Sequence, residues 1–171
     1  SNFTRLDHRV MESIKKERYI IYEHDHKYIR NRNPASYYDY VAPKSEIIHS
    51  DFYAMAEAVL CQSSFHVDII RRNLKLKNAI NLSGNLWSQD SLAEMERNLK
   101  KNKKDKCSIV GQAESHKNVL FSVKYCFDKK LQYDLISSED YGEFLGKMSD
   151  NERLVFLPKS PETLSRIVVE A

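Results

Sequence analysis

The feature that most constrains the fold is a change in the spacing of apolar residues along the chain. Before about residue 99, apolar side chains recur every three or four positions, as in Leu6, Val10 and Ile14, which is the spacing of one helix face. Near residue 119 the spacing falls to two, as in a strand with one buried face. We therefore expect an α+β fold, with an N-terminal helical part packed on a C-terminal, mostly antiparallel sheet.

The same spacing predicts individual elements. Helices are expected at 4–16, 51–61 and 65–76, from Ser91, and from Ser160 with Pro161 in the first turn. Ser91 and Glu94 form an S-x-x-E capping box. Strands are expected at 19–22, 107–112, 119–127, 131–135 and 153–157. The segments 119–127 and 131–135 read as a hairpin because only three charged residues separate them.

Glycine and proline are scarce, with four of each among 171 residues. Long flexible linkers are therefore not expected, and we predict one domain over 1–171, of a size that can bury its own core. No Gly-rich phosphate loop of the G-x-G-x-x-G or G-x-x-x-x-G-K-S/T type occurs, so no nucleotide cofactor is predicted. The net charge of +3 is too mild to indicate a polyanionic partner by itself.

Three widely spaced cysteines without a C-x-x-C pair predict neither disulfides nor a zinc site and favour a reducing, intracellular compartment. His24-Asp25-His26 could begin a metal site, but no third ligand is evident, so no metal is predicted. No apolar run approaches the roughly 18 residues needed to span a bilayer, so a membrane partner is not expected.

One segment has the pattern of a catalytic helix. Asp51 follows a polar turn and opens an apolar helix pattern. A helix N-terminus lowers the pKa of a thiol and provides N–H groups for an oxyanion, but Ala54 stands where a cysteine would be needed. Further along, His116 and Asn118 are two residues apart, so on a strand they would share one face. Asn118 could then orient the His116 ring.

These segments resemble the ovarian-tumour (OTU) family of cysteine proteases, most of which are deubiquitinases. Asp51 matches the aspartate of the D-G-N-C motif, 66–74 is similar to the helix that follows, and Trp87 and the H-x-N step at 116–118 are also similar. The resemblance covers about residues 50–125. It implies a papain-like fold, His116 as general base, Asn118 as its orienting group, an oxyanion hole near Asp51, and ubiquitin or a ubiquitin-like protein as partner.

The chain departs from that family at the nucleophile. Phe52-Tyr53 replaces Gly-Asn, and Ala54 replaces the cysteine. Either an engineered substitution or a natural pseudoenzyme that binds without cutting would explain the alanine. A second alignment, with the papain-type core, places Phe52 at the nucleophile position and Asp134 as the third member of the triad.

Simpler roles stand beside these. Asp51 can be a plain helix N-cap, His116 a surface histidine, and the whole chain a non-enzymatic interaction domain. The segment 26–32 mixes basic and aromatic residues, and 97–106 is a basic run, so RNA or DNA binding is the alternative function. The candidate nucleic-acid contacts are Lys27, Arg30, Arg32, Lys100, Lys101, Lys103 and Lys104.

Overall fold

The computed structural model of this protein describes residues 3–111 and 117–171. The sequence predicts one domain, and the contacts divide the chain into two compact units. The first, the N-unit, comprises Ser1–Asn85 and Ser160–Leu164. The second, the C-unit, comprises Leu86–Lys159 and Ser165–Ala171. Each unit has its own sheet and its own buried core.

The N-unit is built on a three-stranded parallel sheet in the order β1-β2-β3. Its strands are β1 (Ile20–Glu23), β2 (Ala58–Cys61) and β3 (Ala79–Asn81). Its helices are α1 (His8–Ile14), α2 (Ser50–Met55) and α3 (Ser64–Leu74). Short 3-10 turns at Phe3–Arg5, Pro34–Ser36, Tyr38–Tyr40 and Lys44–Glu46 complete the unit.

Helix α3 shows how the sequence fixes this unit. The Ser63 side chain accepts a hydrogen bond from the His66 N–H at 3.2 Å, and so caps the helix start. Val67 and Ile70, three residues apart, are buried against the sheet core that contains Val59. The central strand β2 thus lies between β1 and β3 with its apolar side chains covered.

The C-unit has a second parallel sheet, in the order β5-β4-β6. Its strands are β4 (Lys104–Val110), β5 (Tyr133–Ile136) and β6 (Asn151–Leu154). Its helices are α4 (Gln89–Leu99), α5 (Val119–Asp128), α6 (Tyr141–Ser149) and α7 (Arg166–Glu170). Four consecutive residues at the end of β4 are buried, as in a strand covered on both faces. Ile109 clusters with Cys126 of α5, and Val110 clusters with Leu145 of α6.

The expected mixture of helices and strands is present, but the strand pairing differs from the expectation. In both sheets the pairs between these strands are parallel, whereas a mostly antiparallel sheet was predicted. Residues 119–128 form helix α5, so the predicted hairpin does not form. Their alternation is misleading because α5 buries Ser122 and Cys126 and leaves larger apolar residues exposed. The predicted helix 51–61 is α2 followed by strand β2.

Among the residues that the structure describes, no helix has the length and apolar character needed to cross a bilayer.

Candidate ligand site at the carboxyl edge of the first sheet

The three parallel strands of the N-unit end at one edge of their sheet, and polar residues follow each of them. His24 follows β1, Gln62 and Ser63 follow β2, and Asn85 lies four residues beyond β3. In open parallel α/β sheets, ligands bind at the carboxyl ends of the strands. We call these four residues, together with Thr163, the carboxyl-edge cluster.

Thr163 joins the ends of β1 and β2. Its hydroxyl oxygen lies 2.5 Å from the side-chain oxygen of Gln62 and 3.3 Å from the carbonyl oxygen of His24. A hydroxyl has one proton, so it serves one of these acceptors at a time. The Ser63 hydroxyl in turn donates to the Thr163 carbonyl. Residues 160–164, which are distant in sequence, thus complete this edge of the sheet.

The amide groups of the cluster form a second set of contacts. The Gln62 side chain is buried and donates to the Asn85 side-chain oxygen. Asn85 donates to the Leu164 carbonyl at 3.3 Å, and the Gly84 N–H donates to the Gln62 carbonyl at 2.9 Å. The cluster therefore consists of neutral amides and hydroxyls, and it is joined to the His24 backbone carbonyl at the end of β1.

His24 is the titratable member of the cluster, and it is exposed. Partial desolvation of the ring lowers the pKa of His24, and the positive charge of Lys27 lowers it further. The imidazole is therefore neutral at pH 7 and can accept a proton. An exposed neutral imidazole at a sheet edge has the protonation state that a general base requires.

A buried ion pair lies directly below this edge. Glu23, the last residue of β1, accepts hydrogen bonds from the Lys27 ammonium at 3.1 Å, from the Asp25 N–H at 2.9 Å and from the Tyr53 hydroxyl. Glu23, Lys27 and Tyr53 are each at most 1% exposed. Burial raises the pKa of Glu23, although Lys27 and Tyr53 act in the opposite direction. These contacts hold the turn that carries His24.

Two further histidines are buried nearby. The His26 and His66 rings are 5.0 Å apart in an edge-on arrangement. His26 Nδ1 is 3.0 Å from the Tyr28 hydroxyl, whereas the Nε2 atoms of both histidines have no hydrogen-bond partner within the described residues. Burial lowers the pKa of His26 to about 4 and that of His66 to about 3, so both rings are neutral at pH 7. The described part of the chain holds no group of three or more metal-ligating side chains.

The residues predicted for a protease site lie in different units. Asp51 is the second residue of α2, where its carboxylate accepts from Lys15 and from the Phe52 N–H, and the Lys15 contact lowers the pKa of Asp51. Ala54 is exposed in the last turn of α2, so position 54 is not at the helix N-terminus as expected. Asn118 belongs to the C-unit and donates to the Leu157 carbonyl at 2.9 Å. His116 lies outside the described residues.

The residues of the papain-type alignment have structural contacts of their own. Phe52 is 3% exposed in the N-unit core. Asp134 lies in β5 of the C-unit and pairs with Lys106 at 3.0 Å, a contact that lowers the pKa of Asp134.

Among the candidate nucleic-acid contacts, Lys27 is the clear correction. It is 1% exposed and paired with Glu23, so it cannot reach a phosphate. The sequence singled it out because the segment 26–32 mixes basic and aromatic residues, a pattern that does not reveal burial. The other candidates with an ion pair are Arg30 with Glu46, Arg32 with Asp25, Lys100 with Glu96, and Lys101 with Asp150. Lys103 is half-buried, and Lys104, the first residue of β4, is exposed.

Sequence reasoning missed Gln62 because it read 51–61 as one helix, so the turn that follows was not recognised as the end of a strand. Thr163 was missed because it fell in the helix expected from Ser160, whereas α7 begins at Arg166. Asn85 was not singled out by any pattern. A usable signal was present: the apolar run Ala58–Cys61 is followed by Gln-Ser-Ser and then by a helix pattern. That order is strand, polar turn, capped helix, which places the turn at a carboxyl edge.

Comparisons of the chain with protein-family models, with curated proteins and with solved structures give no match.

Proposed function

We propose that this protein is a group-transfer enzyme that binds a hydroxyl-rich molecule, such as a carbohydrate, at the carboxyl-edge cluster, with His24 as general base. The observation that carries the proposal is an exposed, neutral imidazole at the carboxyl edge of a parallel sheet, on a residue whose backbone carbonyl bonds to a cluster of amide and hydroxyl side chains. Neutral amides and hydroxyls both donate and accept hydrogen bonds, which suits a polyol better than an ion.

A group transfer needs an activated donor as its second substrate. The parallel sheets of both units are of the kind that binds nucleotides at its carboxyl edge. By this fold-level analogy, glycosyl transfer from a sugar nucleotide is the reaction class that suits a hydroxyl-rich acceptor.

The proposed step is a displacement at the donor's activated carbon. His24 removes the proton from an acceptor hydroxyl, and the oxygen forms a bond to the donor's activated carbon. The bond from that carbon to the nucleotide phosphate breaks, and the nucleoside diphosphate leaves with the electron pair. The base must be neutral, so the lowered pKa of His24 predicts activity that persists below pH 6.5, the ordinary pKa of a histidine, and falls at still lower pH.

The test compares two exposed histidines. His24→Ala removes the base, and His8→Ala, on the exposed face of α1, is the matched control. Saturation-transfer NMR with panels of saccharides and sugar nucleotides identifies the ligands, and release of nucleoside diphosphate measures the reaction. We expect His24→Ala to lower the rate by about 10²–10⁴-fold and His8→Ala to leave it unchanged.

Two results would contradict this proposal. One is that no saccharide and no sugar nucleotide binds to the intact chain. The other is that turnover survives His24→Ala at the level of the His8→Ala control.

A second proposal retains the cysteine-protease interpretation. It is supported by the order of the matching residues, Asp51, Ala54, His66, Trp87, His116 and Asn118. Ala54 is exposed, so a thiol fits there without displacing a neighbour. Ala54→Cys is expected to form an adduct with a ubiquitin probe that carries a vinyl-type electrophile. Absence of both the adduct and ubiquitin binding by the unaltered chain would reject it.

A further inference from the structure

Helix α5 of the C-unit presents an unusually apolar face to solvent. Leu120 is 85% exposed, Phe127 is 79% exposed and Phe121 is 55% exposed. With Lys124, these residues are spaced by one, four and seven positions, which places them on one side of an α-helix. We call them the α5 face. Clusters of exposed apolar side chains on a protein surface mark interaction sites.

The opposite side of α5 accounts for the attachment of this helix to the unit. Ser122 and Cys126 are buried there, and Val119 and Val123 pack with Cys107 and Ile109 of β4. The α5 face therefore points away from the core of its own unit.

A basic cleft adjoins the end of α5. It has a volume of about 470 Å³ and is lined by four cationic side chains and one carboxylate. The cations are Lys104, Lys106, Lys130 and Arg153. Arg153 pairs with Asp105, which is the one carboxylate of the lining, and Lys106 pairs with Asp134.

The α5 face and the basic cleft are directly linked. The Lys130 N–H donates to the Phe127 carbonyl at 3.0 Å, so the chain turns from the α5 face into the cleft within three residues. Lys130 has φ of 54°, in the left-handed region, which makes this turn tight. Apolar side chains and cations therefore meet at one end of a single helix.

We propose that α5 docks the protein on a membrane surface that contains anionic lipids. Leu120, Phe121 and Phe127 enter the interfacial region of the bilayer, while the cleft around Lys130 binds a phosphate headgroup. Charge complementarity selects this occupant: helices that lie in the interface combine Leu and Phe on one face with lysines that attract anionic lipid. Such docking needs no membrane-spanning segment. It is independent of the reaction proposed for the N-unit.

The experiment is cosedimentation of the full chain with extruded vesicles. One set is pure phosphatidylcholine, and the other contains roughly one-third phosphatidylglycerol. We expect binding to the anionic set, little binding to the neutral set, and weaker binding as salt is raised.

Two variants and two matched controls locate the surface. The double substitution Leu120→Gln with Phe127→Gln is expected to lower partitioning about tenfold or more, and Lys130→Glu is expected to lower it severalfold. Leu99→Gln and Lys100→Glu change an exposed leucine and an exposed lysine at the end of α4 and should have no effect. Far-UV circular dichroism confirms that each variant is folded.

The proposal is overturned if the unaltered chain stays in the supernatant with anionic vesicles, or if the α5 variants bind as well as their controls. It is equally overturned if glycerol 3-phosphate or a single-stranded RNA binds while vesicles do not. The first of these would indicate a soluble anion site, and the second a nucleic-acid surface.

Discussion

The buried pair Glu23–Lys27 gives the sharpest stability prediction. Lys27→Met keeps the length and apolar stem of the side chain but removes the charge that faces Glu23. The carboxylate then retains its bonds from Tyr53 and the Asp25 N–H, but it has lost its cation. Removing one partner of a fully buried pair costs about 3–5 kcal/mol, because the remaining charge is left uncompensated.

The loss should depend on pH in a defined direction. Burial already raises the pKa of Glu23 in the folded protein, and loss of Lys27 raises it further. The folded state then binds the proton more tightly than the unfolded state, so stability falls as pH rises through the folded pKa. Lowering the pH protonates Glu23 and removes the unpaired charge. The deficit of Lys27→Met relative to the natural protein should therefore shrink between pH 7 and pH 5.

The assay is urea denaturation followed by far-UV circular dichroism at both pH values, since Trp87 belongs to the other unit and does not report on the N-unit. The control is Lys124→Met, which removes a lysine from an exposed pair with Asp128 and should cost less than about 0.5 kcal/mol. The reasoning fails if Lys27→Met costs under about 1 kcal/mol, or if its cost is the same at both pH values.

Three further predictions concern other parts of the chain. Ile109 is a core residue that is 1% exposed, so Ile109→Ala should destabilise the C-unit by about 2–5 kcal/mol. Urea unfolding followed by Trp87 fluorescence measures this loss. The control Leu135→Ala, at a position that is 57% exposed, should cost far less. Equal losses would contradict this assignment of the core. The three cysteines are buried, and burial raises the pKa of Cys61 to about 12. A thiol reagent should therefore react slowly with the native protein and fully in denaturant. Rapid labelling of the native protein would contradict the burial of these thiols. Thr163→Val removes the hydroxyl that bonds at the carboxyl edge and should lower the free energy of unfolding by about 1 kcal/mol. The control Thr163→Ser keeps the hydroxyl and should change stability less. A valine variant as stable as the natural protein would show that this hydrogen bond does not contribute to stability.

The sequence predicts the start of α3 and of α4 to within two residues, but the helix expected from Ser160 does not form there, and α7 begins at Arg166. Helix α3 was expected at 65–76 and lies at Ser64–Leu74, and the helix expected from Ser91 is α4, Gln89–Leu99. In α3 the apolar residues Val67 and Ile70 are buried as expected. Helix α4 is capped by Ser88 instead of Ser91, and it leaves Leu92 and Leu99 exposed. Strand β1, expected at 19–22 and found at Ile20–Glu23, was accessible for a similar reason: it is a short run of β-branched and aromatic residues.

The sheet topology was not accessible because two short apolar segments are ambiguous. Ala58–Cys61 continues the three-four spacing of α2, although it is a four-residue strand. Periodicity alone cannot separate a buried strand from a buried helix turn. Once β2 was merged into a helix and α5 was taken as a strand, the alternation of strand and helix that signals a parallel sheet was lost.

The sequence did not reveal the candidate site, because strand β2 was not recognised and because the site residues are far apart in sequence. His24 was noticed only as part of a weak metal pattern, and Gln62 was placed between two predicted helices instead of at the end of a strand. Thr163 is separated from His24 by 139 residues. Only tertiary structure brings such residues together, so local patterns do not predict their contact.

The segment Ser160–Leu164 has a consequence for how the protein is made. This segment belongs to the N-unit, yet Leu164 lies 79 positions (164 minus 85) after Asn85, where the first part of the N-unit ends. At a ribosomal rate of about 5–20 residues per second, the β1 and β2 ends wait roughly 4–16 seconds for Thr163 to be synthesised. Throughout that interval the nascent chain carries an unfinished first unit, which a chaperone could recognise, and translation pauses within 86–164 would prolong it.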